Sequence, residues 1–111
     1  MLPFQNRLKN KEDFEKTYRY GKSLFCDKLV MRVAKNGLPV VRVGISIGVN
    51  FSKSAVLRNQ LKRQIRAFFR AELEKIKPGQ DIVIILQKGY DSSKSPVEII
   101  SKLLAKSGQY I

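Results

Sequence analysis

KSAVLRNQLKRQIRAFFR, Lys53 to Arg70, reads as one helix with different duties on its two sides. Leu57, Leu61, Ile65 and Phe68, continued by Leu73 and Ile76, recur at helical spacing and predict a buried stripe. Each such side chain contributes roughly 1.5 to 3 kcal/mol when taken out of water, so packing rather than propensity holds this helix in place. Ser52 or Ser54 can cap its start, and Pro78-Gly79 ends it after about Lys75. Just before it, Val41 to Asn50 alternates, with Val41, Val43, Ile45, Ile47 and Val49 on one face and Arg42, Gly44, Ser46, Gly48 and Asn50 on the other. Two glycines on one strand face predict a bulge or a close approach to the backbone. Just after it, DIVIIL at Asp81 to Leu86 is a continuous apolar run, expected for a strand covered on both faces. A helix joining two such strands lets them pair in parallel, and by base rate about 98% of these crossovers are right-handed.

Working outward, Asn10 and Asp13 resemble a cap and its partner for a first helix over residues 10 to 20, stopped at Gly21. Phe14 and Tyr18, four apart, share one of its faces, which can wall the shallow strand face. From Leu24 to Lys35 the period is two, with Leu29, Met31 and Val33 on one side, Val30, Arg32 and Ala34 on the other, and a break available at Cys26 and Asp27. Asn36-Gly37 is a turn signal, so this segment and Val41 to Asn50 are expected to form a hairpin, with Arg32 and Arg42 near each other on its shallow face. Pro96 opens a third helix with Val97, Ile100, Leu103 and Leu104 on its apolar side, ended by Gly108. The order α-β-β-β-α-β-α fits one two-layer α+β domain over residues 1 to 111.

Composition narrows the function. The chain carries 22 Lys and Arg against 9 Asp and Glu, a formal net charge of +13 on 111 residues. Self-repulsion of that size is relieved by a polyanion, nucleic acid first and anionic membrane second. No His is present and Cys26 is the single cysteine, which removes zinc constellations, Cys-His nucleophiles and internal disulfides. No apolar run reaches membrane-spanning length and the N-terminus lacks a signal-peptide core, so a soluble, cytoplasmic protein is expected.

Charge is also unevenly placed: Lys28 to Ala71 holds ten Lys or Arg and no acid. Within the basic helix Arg58, Lys62, Arg66 and Arg70 recur every four residues, with Asn59 and Arg63 one position on and Lys53 ahead. Like charges at this spacing repel, and a merely solvated helix would interleave acids. Arginine forks match phosphate oxygens, so the strip is read as an anion-binding surface. Asn59 can read a base edge or simply serve local hydrogen bonding. Phe14 and Tyr18 can stack on unpaired bases or belong to the core, and Arg32 and Arg42 can meet phosphates or face water. General acid-base pairs are lacking, and Asp27, Asp81 and Asp91 look like turn or strand-end residues.

The residues RVGISI followed by KSAVLRNQLKRQIRAFFR resemble the signature region of the bacterial ribonuclease P protein component. RLKNKEDFEKTYRYGKS, GQDIVIIL and EIISKLLAKSG resemble that family's opening, last strand and final helix, so the likeness spans nearly the whole chain in order. The resemblance implies a ribosomal protein S5 domain 2-like fold with a left-handed βαβ crossover, displacing the base-rate hand. It implies an RNA-binding subunit of an endoribonuclease whose catalytic RNA removes the 5′ leader of precursor tRNA with magnesium. The protein then has no catalytic residue and no cofactor of its own, and its partners are the catalytic RNA and the leader, with no membrane or protein partner. The family's arginine-rich motif falls on Arg58, Asn59, Lys62, Arg63 and Arg66, with Lys53 and Arg70 extending the strip toward the catalytic RNA. Phe14 and Tyr18 match positions at the family's leader-binding cleft, with Arg32 and Arg42 beside them. The chain departs from the family pattern at Gln60, where the third residue of an Arg-Asn-Arg triplet is expected. It departs again in the thinned Lys-rich stretch Gly48 to Ser52 and at Ser52 in place of a glycine. A structural nucleic-acid binder, ribosome-associated or DNA-compacting, would need the strip but not the cleft. Membrane-surface binding would compete with the core for the apolar stripe.

Overall fold

The computed structural model describes residues 2–9, 11–48, 51–91 and 93–109. Asn10, expected to cap the first helix, and Val49 and Asn50, expected to end the alternating arm, lie outside these residues. Along the chain run α1 (Lys11–Tyr20), β1 (Lys22–Cys26), β2 (Leu29–Lys35), β3 (Arg42–Ser46), α2 (Ala55–Glu72), β4 (Gln80–Leu86) and α3 (Pro96–Lys106). A short 3-10 turn, Leu73–Lys75, prolongs α2 to the end foreseen from sequence.

The four strands lie in the order β1-β2-β4-β3. Strand β4 pairs antiparallel with β2 and parallel with β3, so the run of apolar residues that demands cover on both faces is interior, as its composition requires. The expected β2-β3 hairpin is therefore replaced by a crossing in which β4 separates the two strands. Asn36-Gly37 does make a turn, with Gly37 at φ 68, but the Asn36 side chain bonds Asp81 and the Val40 carbonyl. Its backbone N–H donates to the Gly79 carbonyl at 3.0 Å, and the chain passes over the start of β4 to its far side. The true hairpin joins β1 and β2 at Asp27-Lys28, both left-handed at φ 50 and 68, the conformation of a tight two-residue connection.

Register places Leu29, Met31, Val33, Val43, Ile82, Ile84 and Leu86 on one sheet face, where they form a core with Leu61, Ile65, Phe69, Ile100 and Leu104 from α2 and α3. Phe69 is fully buried, whereas Phe68, expected in the stripe, is half-buried and meets its neighbour edge-on at 5.3 Å. In α3 the buried set is Pro96, Ile99, Ile100, Leu103 and Leu104, with Val97 only half-covered. The Ser54 hydroxyl accepts from the Leu57 N–H at 3.2 Å and caps α2, so the helix begins two residues after Lys53.

The opposite sheet face carries Arg32, Val83 and Gly44 in one row and Ala34, Asp81 and Arg42 in the next. Helix α1 lies over it. A Cβ added to Gly21, where α1 gives way to β1, would sit 2.4 Å from the Thr17 carbonyl oxygen and 3.0 Å from that of Val33, so the helix end packs directly against β2. The free edge of β3 is covered by the N-terminal segment, where the Leu8 N–H donates to Val43 O at 2.9 Å and the Asn6 amide to Val41 O at 2.7 Å.

Candidate nucleic-acid interface

The helix that the core anchors through Leu61, Ile65 and Phe69 presents its cations to solvent. Lys53, Asn59, Arg63, Arg66 and Arg70 are exposed, and Arg58 and Lys62 are half-buried. Among the described residues none of these cations forms an ion pair, whereas Arg42 pairs with Asp13 and with Asp81, and Lys75 with Glu72. Repulsion between like charges four apart costs about 0.2 to 0.5 kcal/mol per pair, and Arg58 sits in a first turn that holds no acid. A cation at the positive end of the macrodipole adds about 0.3 to 1 kcal/mol against the helix. A polyanion laid along the strip removes both penalties.

A groove of about 270 Å³ opens beside this strip, lined by Leu8, Lys9, Phe14, Gly44, Ile45 and Arg66 among others. Its floor depends on glycine: a Cβ at residue 44 would lie 2.5 Å from Phe14 Cζ and 2.7 Å from Cε1. The close approach predicted from the glycines on this strand face is thus the Phe14 ring, while Gly48 has nothing near it. Phe14 and Tyr18 lie together, ring centroids 6.3 Å apart and tilted by 47°, Phe14 half-buried and Tyr18 36% exposed. Phe14 packs against the sheet at Gly44 and Tyr18 stands exposed beside it. Arg66 brings the strip and the groove together, a junction sequence spacing did not reveal. The N-terminal wall, Leu8 and Lys9, was not foreseen either; a basic residue beside a leucine before the first helix is too common a pattern to signal it.

The two strand arginines are not neighbours. Arg32 lies opposite Val83 and Arg42 opposite Asp81, with β4 between them. The Arg32 guanidinium sits 5.7 Å from the Tyr18 ring centroid and donates to the Tyr18 carbonyl at the end of α1, while its Nε is buried without a partner. Arg42 donates from Nε and Nη2 to the two Asp81 oxygens at 2.8 and 2.7 Å, and from Nη1 to Asp13 at 3.0 Å. Hydrogen bonding to Asp81 raises its pKa above the ordinary value, so the charge is permanent and fully engaged by carboxylates. Arg42 ties α1 to the sheet rather than facing a phosphate.

Among the described residues no group of three or more His, Cys, Asp or Glu is arranged to hold a metal ion, and no helix is long and apolar enough to cross a membrane.

Comparison with known proteins places these features in a family. The sequence profile described as Ribonuclease P matches residues 2–106. The chain is 41% identical to the ribonuclease P protein component of Pseudanabaena sp. over 85 residues, covering 76% of this chain and 73% of that one. It is 37% identical to that of Clostridium kluyveri over 109 residues, covering 94% and 96%. Among solved structures, the RNase P protein of Staphylococcus aureus superposes with a TM-score of 0.83 at 26% identity, covering 96% of this chain and 98% of that one. The Thermotoga maritima RNase P protein gives 0.74 at 32% identity, covering 91% and 93%.

Proposed function

The chain belongs to the ribonuclease P protein component family, and from that premise we propose how its two surfaces divide the work of 5′ leader removal. As a subunit of ribonuclease P, an endoribonuclease, it works with the ribonuclease P RNA. The strip of Lys53, Arg58, Asn59, Lys62, Arg63, Arg66 and Arg70 binds phosphates of that RNA, giving affinity and register without reading sequence. The groove lined by Phe14, with the Tyr18 ring beside it on α1, takes the single-stranded leader of precursor tRNA, one or more bases resting on the two rings. Arg32, half-buried with its guanidinium over the Tyr18 ring, would meet a leader phosphate beside that ring.

One observation carries this division: Arg66 of the strip and Phe14 of α1 line the same groove. A leader crossing Phe14 then emerges directly onto the cationic surface where the catalytic RNA lies. Bond cleavage is assigned to the RNA and its magnesium ions. Among the described residues the carboxylates of Asp13 and Asp81 are bound to Arg42 and so serve the fold. The protein's contribution is orientation of the substrate. With these duties it acts in the cytoplasm, where precursor tRNA is made.

The test is cleavage of precursor tRNAs with short and long leaders by the catalytic RNA at limiting magnesium, with and without the protein. The protein should improve cleavage, and more so for the long leader. An effect indifferent to leader length refutes the role of the groove.

A further inference from the structure

We propose that the Asp13-Arg42-Asp81 bridge is the positioning device of the leader groove, holding α1 at the height above the sheet where Phe14 and Tyr18 can receive a base. The proposal rests on the leader-binding reading of that groove and adds three residues that touch no substrate.

The bridge has a fixed end and a free end. Asp81 is the fixed end: it lies in the central strand β4, is 5% exposed, and accepts from Arg42 twice and from the Asn36 amide at 2.9 Å. Asp13 is the free end, on α1 and immediately before Phe14, its carboxylate 3.0 Å from Arg42 Nη1. Arg42 stands between them on the edge strand β3, two residues from Gly44 and on the same face. Same-face neighbours along a strand are roughly 6.6 Å apart, so the bridge and the Phe14-Gly44 contact occupy adjacent rungs. A change in one is passed to the other with no intervening side chain.

Charge explains why this arginine positions rather than binds. One guanidinium between two carboxylates leaves the cluster with a net charge of −1, so an approaching phosphate meets repulsion from Asp13 rather than an open fork. The other end of α1 is held in a related way, since Arg32 donates to the Tyr18 carbonyl and lies 5.7 Å from its ring centroid. An arginine from the sheet thus fastens each end of the two-ring platform. Only the Arg42 end runs through a carboxylate that a conservative substitution can neutralise without changing its size.

The experiment compares Asp13→Asn, Asp13→Glu and Phe14→Ala in the reconstituted holoenzyme, on precursor tRNAs with short and long leaders. Thermal melts of each protein are recorded alongside. Asp13→Asn should lose roughly tenfold of the KM advantage of the long leader, the equivalent of about 1.4 kcal/mol of misplaced contact. It should leave kcat, short-leader cleavage and affinity for the catalytic RNA unchanged, and Asp13→Glu should restore most of the loss. The proposal is overturned if Asp13→Asn keeps the long-leader advantage while Phe14→Ala loses it, and equally if Asp13→Asn weakens short and long leaders alike, as general loosening would. If Phe14→Ala leaves leader dependence untouched, the groove reading itself fails and the positioning role fails with it.

Discussion

Gly44→Ala is the most direct physical test of how α1 sits on the sheet. The added Cβ would lie 2.5 Å from Phe14 Cζ, 2.7 Å from Phe14 Cε1 and 3.2 Å from Leu8 Cδ2. An ordinary carbon-carbon contact is about 3.5 to 4.0 Å, so the ring must retreat by about 1 Å. Retreat is resisted, because the residue before Phe14 is held by Arg42 and the helix end is packed on Val33 at Gly21. Overpacking of this kind costs about 2 kcal/mol at mid-range, offset in part by the roughly 0.75 kcal/mol that alanine gains over glycine inside a strand, leaving about 1.2 kcal/mol. At about 2.1 cal/mol/K per residue, 111 residues give an unfolding entropy near 0.23 kcal/mol/K, so Tm should fall by about 5 °C. The same displacement moves the ring that receives the leader, so the long-leader advantage should shrink while affinity for the catalytic RNA holds. Calorimetry and leader-length cleavage read the two effects. A Tm within about 1 °C of the parent with leader dependence intact would mean that Phe14 does not rest on residue 44.

With about six cations on phosphates, log affinity for the catalytic RNA should fall with log salt at a slope of roughly −4 to −5, and Arg58→Ala with Lys62→Ala should flatten it by about 1.4 to 1.8; a filter-binding salt series checks both. Phe69→Ala should cost about 3 to 5 kcal/mol and Phe68→Ala clearly less, since Phe69 is fully buried and Phe68 is not; urea unfolding of the two variants decides, and equal losses would contradict the packing. Tyr90 has its pKa raised by burial first and then by Asp91 and Asp27, so the folded protein holds this proton more tightly than the unfolded chain. Stability should therefore be level below the unfolded value near pH 10 and fall as pH rises past it toward the folded value, a fall that Tyr90→Phe should remove while losing the 2.9 Å bond to Lys94 O.

Sequence periodicity located the elements well because each is held by its own apolar pattern. The alternation of Leu29, Met31 and Val33, the run from Asp81 to Leu86 and the stripe of α2 all report burial directly. Strand order was less legible, since a local turn signal does not say whether two successive strands pair or are separated by a later one, and Asn36-Gly37 and Asp27-Lys28 both contain positive φ. Asn36-Gly37 carries the stronger hairpin signal, yet the hairpin forms at Asp27-Lys28, where the cross-strand pairing of β1 and β2 imposes the left-handed conformation on ordinary residues. That one misplacement accounts for the expected adjacency of Arg32 and Arg42. The strip on α2 was readable because intrahelical spacing fixes it. The Asp13-Arg42-Asp81 bridge was not, because its members come from three elements whose order in the sheet had first to be known.

The same spacing bears on Gln60, an uncharged residue between Arg58 and Lys62 that the resemblance singled out. Successive residues turn by about 100°, so residue 60 lies about 200° from Arg58 and about 60° beyond Arg63, at the outer margin of the strip and away from the buried row of Leu61, Ile65 and Phe69. Gln60 is exposed there. A cation at this position would widen the strip rather than fill a gap in it, so its absence leaves the central row of Arg58, Lys62, Arg66 and Arg70 intact. Gln60→Arg should therefore steepen the salt slope by no more than about 0.7 to 0.9, one further phosphate. It should leave leader dependence alone, because the groove is lined by Arg66 and not by residue 60. Salt-dependent binding to the catalytic RNA and leader-length cleavage measure the two separately. A gain much larger than one phosphate, or a change in leader dependence, would mean that the RNA crosses α2 on its outer side and that the row through Arg66 is not the centre of contact.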